Sequence, residues 1–222
     1  MPPPGKRGKY LGFVAHEIKN PLATALWSCD LLKRMESGDR TGERAEKMID
    51  VSLRALRRMR RLIDDFFTIE RLLEHGYDLK RERLKMKDLV SSSLQALSEK
   101  DGIASDGWVL ELDEGETAGD GDMLRRAVRA AVEHMARSSP RPRLSLTSRG
   151  DGRGRRPELF IRAETPPAPL VPLDPEERPS GDPTGAVLGF ALASRILACH
   201  DGKLEEREGG LCLVFPPAEA GA

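Results

Sequence analysis

Residues 11–32 read Leu-Gly-Phe-Val-Ala-His-Glu-Ile-Lys-Asn-Pro-Leu-Ala-Thr-Ala-Leu-Trp-Ser-Cys-Asp-Leu-Leu. Apolar or small residues recur there at Leu11, Val14, Ile18, Leu22, Ala25, Cys29 and Leu32, in steps of three and four. That is the period of an α-helix with one buried stripe. Ser37-Gly38-Asp39-Arg40-Thr41 breaks the pattern and reads as a turn. The period resumes at Ala45, Ile49, Ser52, Leu56, Met59, Ile63 and Phe66, and Gly76 marks the expected stop. Two such helices joined by a short turn make an antiparallel hairpin. A lone hairpin with so regular a seam cannot cover its own apolar face, so two copies closing into a four-helix bundle, a homodimer, are expected.

Beyond the hairpin the pattern changes. Tyr77 to Lys85 reads as a bridge, followed by a helix from Met86 to Leu97, a strand from Trp108 to Leu112, and a helix from Asp122 to Arg137. Two strands, Leu144 to Ser148 and Leu159 to Ala163, precede a proline-rich loop from Thr165 to Thr184. A helix from Ala186 to Cys199 and strands near Lys203 to Arg207 and Leu211 to Phe215 close the chain. Strands and helices mixed in this way predict an α/β sandwich, with helices on one face of a mixed sheet. The fold class is thus α plus α/β. The boundary near residues 76 to 86 divides the chain into 1–80 and 81–222.

Lys plus Arg balance Asp plus Glu at 36 each, so overall charge points to no nucleic acid or membrane partner. No apolar run reaches the roughly 18 residues that cross a bilayer, and the amino terminus lacks the apolar core of a signal peptide. Cys29, Cys199 and Cys212 are scattered through apolar stretches, which reads as reduced core thiols in the cytoplasm and not as a disulfide framework or a metal site.

Successive helical residues are about 100° apart, which puts His16 about 160° from Ile18, on the face opposite the apolar stripe. Phe13, Asn20 and Trp27 point the same way. Aromatics on a solvent face mark a docking surface, or else pack beneath the second domain. On the second helix Arg54, Arg57, Arg58 and Arg61 share a face. That face is either simply solvated or steers an acidic partner.

The segment Phe13-Val14-Ala15-His16-Glu17-Ile18-Lys19-Asn20-Pro21-Leu22 resembles the phosphoacceptor motif of two-component sensor histidine kinases. In that family a dimerising helical hairpin bears the histidine and an ATP-binding α/β domain follows. Domain order and lengths are similar from about Gly12 to Pro217. The resemblance implies phosphate on His16, exchanged with an aspartate of a response-regulator receiver domain. It also makes Glu17 the base or orienter, and Asn20 the residue that positions a water for dephosphorylation. An imidazole suits this role because it is nucleophilic near neutral pH. Pro21 gives no backbone N–H to residue 17, which loosens the helix beside the site.

The family's nucleotide boxes are worn here. Ala130 and His134 stand where the family has magnesium-holding asparagines, and alanine and imidazole are poor substitutes for oxygen ligands. Arg137 stands at the family's lysine. The adenine turn appears as Ala163-Glu164-Thr165-Pro166-Pro167-Ala168, and Gly185-Ala186-Val187-Leu188-Gly189-Phe190 keeps two of three phosphate-loop glycines. If ATP and magnesium are used, the resemblance implies contacts from His134, Arg137, Glu164, Gly185 and Gly189. Three readings stay open: an ATP-dependent autokinase, a phosphotransfer protein or pseudokinase using His16 without ATP, and a structural dimerisation module.

Overall fold

The computed structural model describes residues 7–74, 78–101, 107–138, 144–149, 156–164, 186–207 and 209–218. The chain divides into two compact units, one running to Phe67 and the other starting at Thr68.

Helices α1 (Arg7–Arg34) and α2 (Glu43–Glu74) form the predicted hairpin, joined through a 3-10 turn at Asp39–Thr41. The side chain of Leu11 and the expected stop at Gly76 lie outside the described residues. Charges complement the helix dipoles: Lys33 and Arg34 occupy the last turn of α1, Glu43 and Glu46 the first turn of α2. Arg40 closes the connection, its guanidinium donating to the carbonyls of Met35 (3.1 Å) and Lys33 (3.0 Å). The Lys33 carbonyl lies in the last turn of α1, where carbonyls have no partner within the helix, and Met35 follows that turn.

The seam of the hairpin differs from the expected stripe. On α1 the buried residues are Val14, Glu17, Pro21, Ala25 and Ser28; on α2 they are Ala45, Ser52, Ala55 and Leu62, with Thr68, Ile69 and Leu72 towards its end. Small side chains let the helices come close, and the Ser52 hydroxyl donates to the carbonyl of Met48 (3.0 Å), with the Ala25 carbonyl of α1 at 3.5 Å. Leu22, Ile49, Leu56 and Ile63, expected in the seam, are exposed, as are Leu26, Leu53 and Phe67. Cys29 is also exposed, which corrects its reading as a core thiol. Cys212 fits that reading: it is buried, and burial pushes its thiol up to about 11.

The second unit contains β1 (Glu82–Lys85), α3 (Met86–Asp101), β2 (Val109–Glu111), β3 (Glu116–Gly119), α4 (Gly121–Ser138), β4 (Leu144–Arg149), β5 (Glu158–Ala163), α5 (Ala186–Cys199), β6 (Lys203–Arg207) and β7 (Gly210–Val214). Five strands form a mixed sheet in the order β2-β4-β5-β7-β6, in which only β2 and β4 run parallel. Leu159, Ile161 and Ala163 alternate to one buried face of β5, where α4 packs. Leu124, Ala127, Val128, Ala131 and Met135 of α4, with Leu188, Leu192 and Ile196 of α5, complete the core. Helices therefore cover one face of the sheet, as predicted.

Strands β1 and β3 correct the sequence reading, which made residues 77 to 85 a plain bridge. They pair antiparallel as a separate two-stranded sheet, Glu82 opposite Gly119 and Lys85 opposite Glu116. The proline-rich loop from Thr165 to Thr184 lies outside the described residues. Among the described residues no helix is long and apolar enough to cross a membrane.

The junction between β3 and α4 is tightly tied. Asp120 caps α4, its carboxylate accepting the backbone N–H of Met123 (3.1 Å) and that of Lys80 (3.3 Å). Its own backbone N–H donates to Nε2 of buried His200 (3.0 Å), whose Nδ1 lies 2.7 Å from the Ile196 carbonyl. An accepting Nε2 places the ring proton on Nδ1.

Candidate functional site on the first helix

The faces of α1 follow from its helical period. The seam residue Pro21 defines the direction toward α2, and Ile18, Leu22, Leu26 and Cys29 then lie about 100° to one side. His16, Asn20 and Trp27 lie about 120° to the other. Helix α2 repeats this layout: relative to Ala55, the residues Ile49, Leu53, Leu56, Ile63 and Phe67 lie on one flank and Arg54, Arg57, Arg58 and Arg61 on the other. In an antiparallel pair, offsets of the same sense fall on the same side of the hairpin. The hairpin thus has an apolar front and a back that joins His16 to the arginines.

His16 and Asn20 are exposed, and so is Trp27, at 62%. The Asn20 carbonyl accepts the Thr24 hydroxyl at 3.1 Å. The amide side chain of Asn20 stands one turn beyond the imidazole on the same flank. His16, Asn20 and Trp27 are thus all exposed on one flank of α1, with Trp27 about three turns beyond His16; the side chain of Phe13 lies outside what is described.

Glu17 does not join that group. Its side chain is 5% exposed and lies in the seam, where its Oε2 sits 4.0 Å from Nη2 of Arg58. No hydrogen bond links it to His16. Arg58 is likewise turned inward, at 32% exposure, and Arg61 is half-buried. The expected row of four solvent-facing arginines is therefore corrected: Arg54 and Arg57 are exposed, while Arg58 reaches across the hairpin to the carboxylate beside His16. Sequence reasoning missed this pair. A glutamate phased toward the seam and an arginine phased toward the same flank were its signal.

Of the residues read as nucleotide contacts, His134, Glu164 and Gly189 are described. His134 is buried, its ring 5.5 Å from that of Phe190 on α5, so it belongs to the seam between α4 and α5. Gly189 lies inside α5 and not in a loop before it. A Cβ there would stand 3.4 Å from the Ala130 carbonyl oxygen and 3.7 Å from the Ala130 Cβ, so close helix packing accounts for the glycine. The structure thus places both residues in the seam between α4 and α5. Glu164 is exposed at the end of β5. The side chain of Arg137, and Gly185, lie outside the described residues. Among the described residues no three His, Cys, Asp or Glu side chains gather as metal ligands. The facing residues Ala130 and Gly189 offer magnesium no side-chain oxygen.

Residues 6–74 match the family described as the His Kinase A (phospho-acceptor) domain. No curated protein matches the chain. The fold is similar to that of the histidine kinase AdeS of Acinetobacter baumannii, with a TM-score of 0.65 at 18% identity, covering 90% of this chain and 97% of that one. Full-length ShkA in complex with AMPPNP is also similar, with a TM-score of 0.54 at 18% identity, covering 92% of this chain and 44% of that one.

Proposed function

We propose that the chain, whose residues 6–74 match the His Kinase A phospho-acceptor domain and whose fold is similar to that of a histidine kinase, acts as a two-component sensor histidine kinase-like protein that exchanges phosphate between His16 and a receiver-domain aspartate. The observation that carries this reading is the exposure of His16 on the flank away from the apolar front, beside exposed Asn20 and Trp27.

One ring nitrogen of His16 attacks the phosphorus of the partner's acyl phosphate. The N–P bond forms as the acyl O–P bond breaks, and the aspartate leaves with the electron pair. The other ring nitrogen gives up its proton, and the reverse reaction returns the phosphate. Asn20 positions a water for hydrolysis of the partner's acyl phosphate. Trp27 supplies apolar contact, and Arg54 and Arg57 attract the acidic rim of a receiver. The exposed front, with Leu22, Leu26, Ile49, Leu53, Leu56, Ile63 and Phe67, closes on a second copy. The hairpin, taken to residue 80, carries this chemistry, and the α/β part beyond it supports docking. Both act in the cytoplasm.

A second reading refines the first. The packing of Gly189 on Ala130 and of His134 on Phe190 favours a phosphotransfer protein that receives its phosphate from a partner rather than from ATP. The purified protein and His16→Ala are incubated with radiolabelled ATP and magnesium, and separately with a phosphorylated receiver. Acid-labile label from the receiver alone, lost in His16→Ala, is the expected result. His16-dependent label from ATP would restore the autokinase reading, and label from neither source would leave a structural module.

A further inference from the structure

Glu17 presents an unusual combination. It directly follows the proposed phosphate-bearing histidine, yet its carboxylate is sunk in the hairpin seam. A carboxylate buried among Val14, Pro21, Ala25 and Ser28 is costly unless a cation accompanies it. Arg58 of α2 is that cation, with Nη2 at 4.0 Å from Oε2. The backbone at this point is also weakened. Pro21 lies inside α1 and has no N–H to give the Glu17 carbonyl, so one rung of the helix is missing where the pair sits. The cross-hairpin pair stands where α1 is least able to hold itself.

We propose that Arg58 is a positioning residue for His16, acting through Glu17. The proposal rests on His16 being the phosphate carrier. When an imidazole nitrogen attacks phosphorus, the ring becomes cationic until its second nitrogen loses a proton. A fixed anion one residue away stabilises that cation, and it does so best when it need not reorganise. Arg58 holds the Glu17 carboxylate in place in the seam, at the turn that Pro21 leaves loose. Without the guanidinium, the carboxylate sits in the seam without its counter-ion and turns toward water. The ring then loses its anchored counter-charge. This assignment differs from docking, in which Arg58 would touch the partner and leave the intrinsic reactivity of His16 unchanged.

Phosphoramidate separates the two roles, because it phosphorylates histidine without any receiver. The imidazole N–P bond forms as the P–N bond to departing ammonia breaks, and the second ring nitrogen releases its proton. The full chain is labelled with phosphoramidate, the rate of acid-labile phosphate formation at His16 is followed, and thermal melting checks the fold of each variant. Arg58→Gln should slow labelling about tenfold, a fraction of what a directly acting base contributes. Arg58→Lys should stay within about twofold of the parent, since it keeps the charge. In a Glu17→Gln background, Arg58→Gln should add nothing further, as expected of residues acting in series. Labelling of Arg58→Gln at the parental rate would overturn the proposal and return Arg58 to the docking surface, as would additive losses in the double variant. Parental protein that takes no His16-dependent phosphate from either phosphoramidate or a phosphorylated receiver would sink the phosphate-carrier reading together with this one.

Discussion

The Asp120 backbone N–H donates to Nε2 of His200 over 3.0 Å, so a neutral imidazole holds the start of α4 to the end of α5. Burial pushes the His200 pKa below the ordinary histidine range, against the opposing pull of the Ile196 carbonyl and the Asp120 carboxylate. A folded-state pKa below the unfolded one means that unfolding takes up a proton, so stability rises with pH. This contribution is fully present above about pH 6.5 and is lost as the pH falls through the folded-state value. Urea unfolding of the α/β unit should show a loss on the order of 1 kcal/mol between about pH 7.5 and about pH 5. His200→Gln should flatten that dependence; an unchanged slope would show that the imidazole does not matter here.

The apolar front of the hairpin makes a second prediction. Leu53 and Leu56 are 41% and 48% exposed on α2. Leu53→Glu combined with Leu56→Glu places like charges in the proposed interface and should convert a dimer into a monomer, read as a halved mass by light scattering. A mass unaffected by the double substitution would exclude this face as the interface.

Trp27 stands on the other side of α1. Trp27→Ala should raise the Kd for a cognate receiver about tenfold, or ~1.4 kcal/mol, and leave the dimer intact. Titration by fluorescence or calorimetry reads the change, and an unaltered Kd would remove the indole from the docking surface.

Asn20→Ala should spare phosphate exchange through His16 but slow dephosphorylation of the receiver about tenfold or more, since only the latter needs a positioned water. Following the decay of the receiver's acyl phosphate tests this, and equal slowing of both reactions would mean that Asn20 serves docking instead.

Much of this architecture is legible in the sequence for one reason: period 3.6 is strong over two long helices. The same signal could not say which apolar residues meet within a chain. Val14 and Ala25 are buried, yet Leu22, from the same stripe, is exposed, because hydropathy does not distinguish an intrachain seam from an apolar face the chain does not cover itself. Small residues such as Ser28 and Ser52 take the seam because close helix approach selects size over hydropathy. Strand β1 was hidden because Glu82-Arg83-Leu84-Lys85 is too polar to read as a strand; its identity comes from pairing with β3.

The site divides in the same way. The phasing of His16, Asn20 and Trp27 is local and was readable. Glu17 meets Arg58 across the hairpin, 41 positions later in the chain, and such a pairing is invisible to a local pattern. His134 is read as a nucleotide contact only from its place in the family's box, and its burial against Phe190 is a packing that no local pattern reveals.

The most direct test is phosphorus NMR of the protein after incubation with a phosphorylated receiver. One phosphohistidine resonance that disappears in His16→Gln is expected. A spectrum with no phosphohistidine signal, or one unchanged by that substitution, would contradict phosphate transfer to His16.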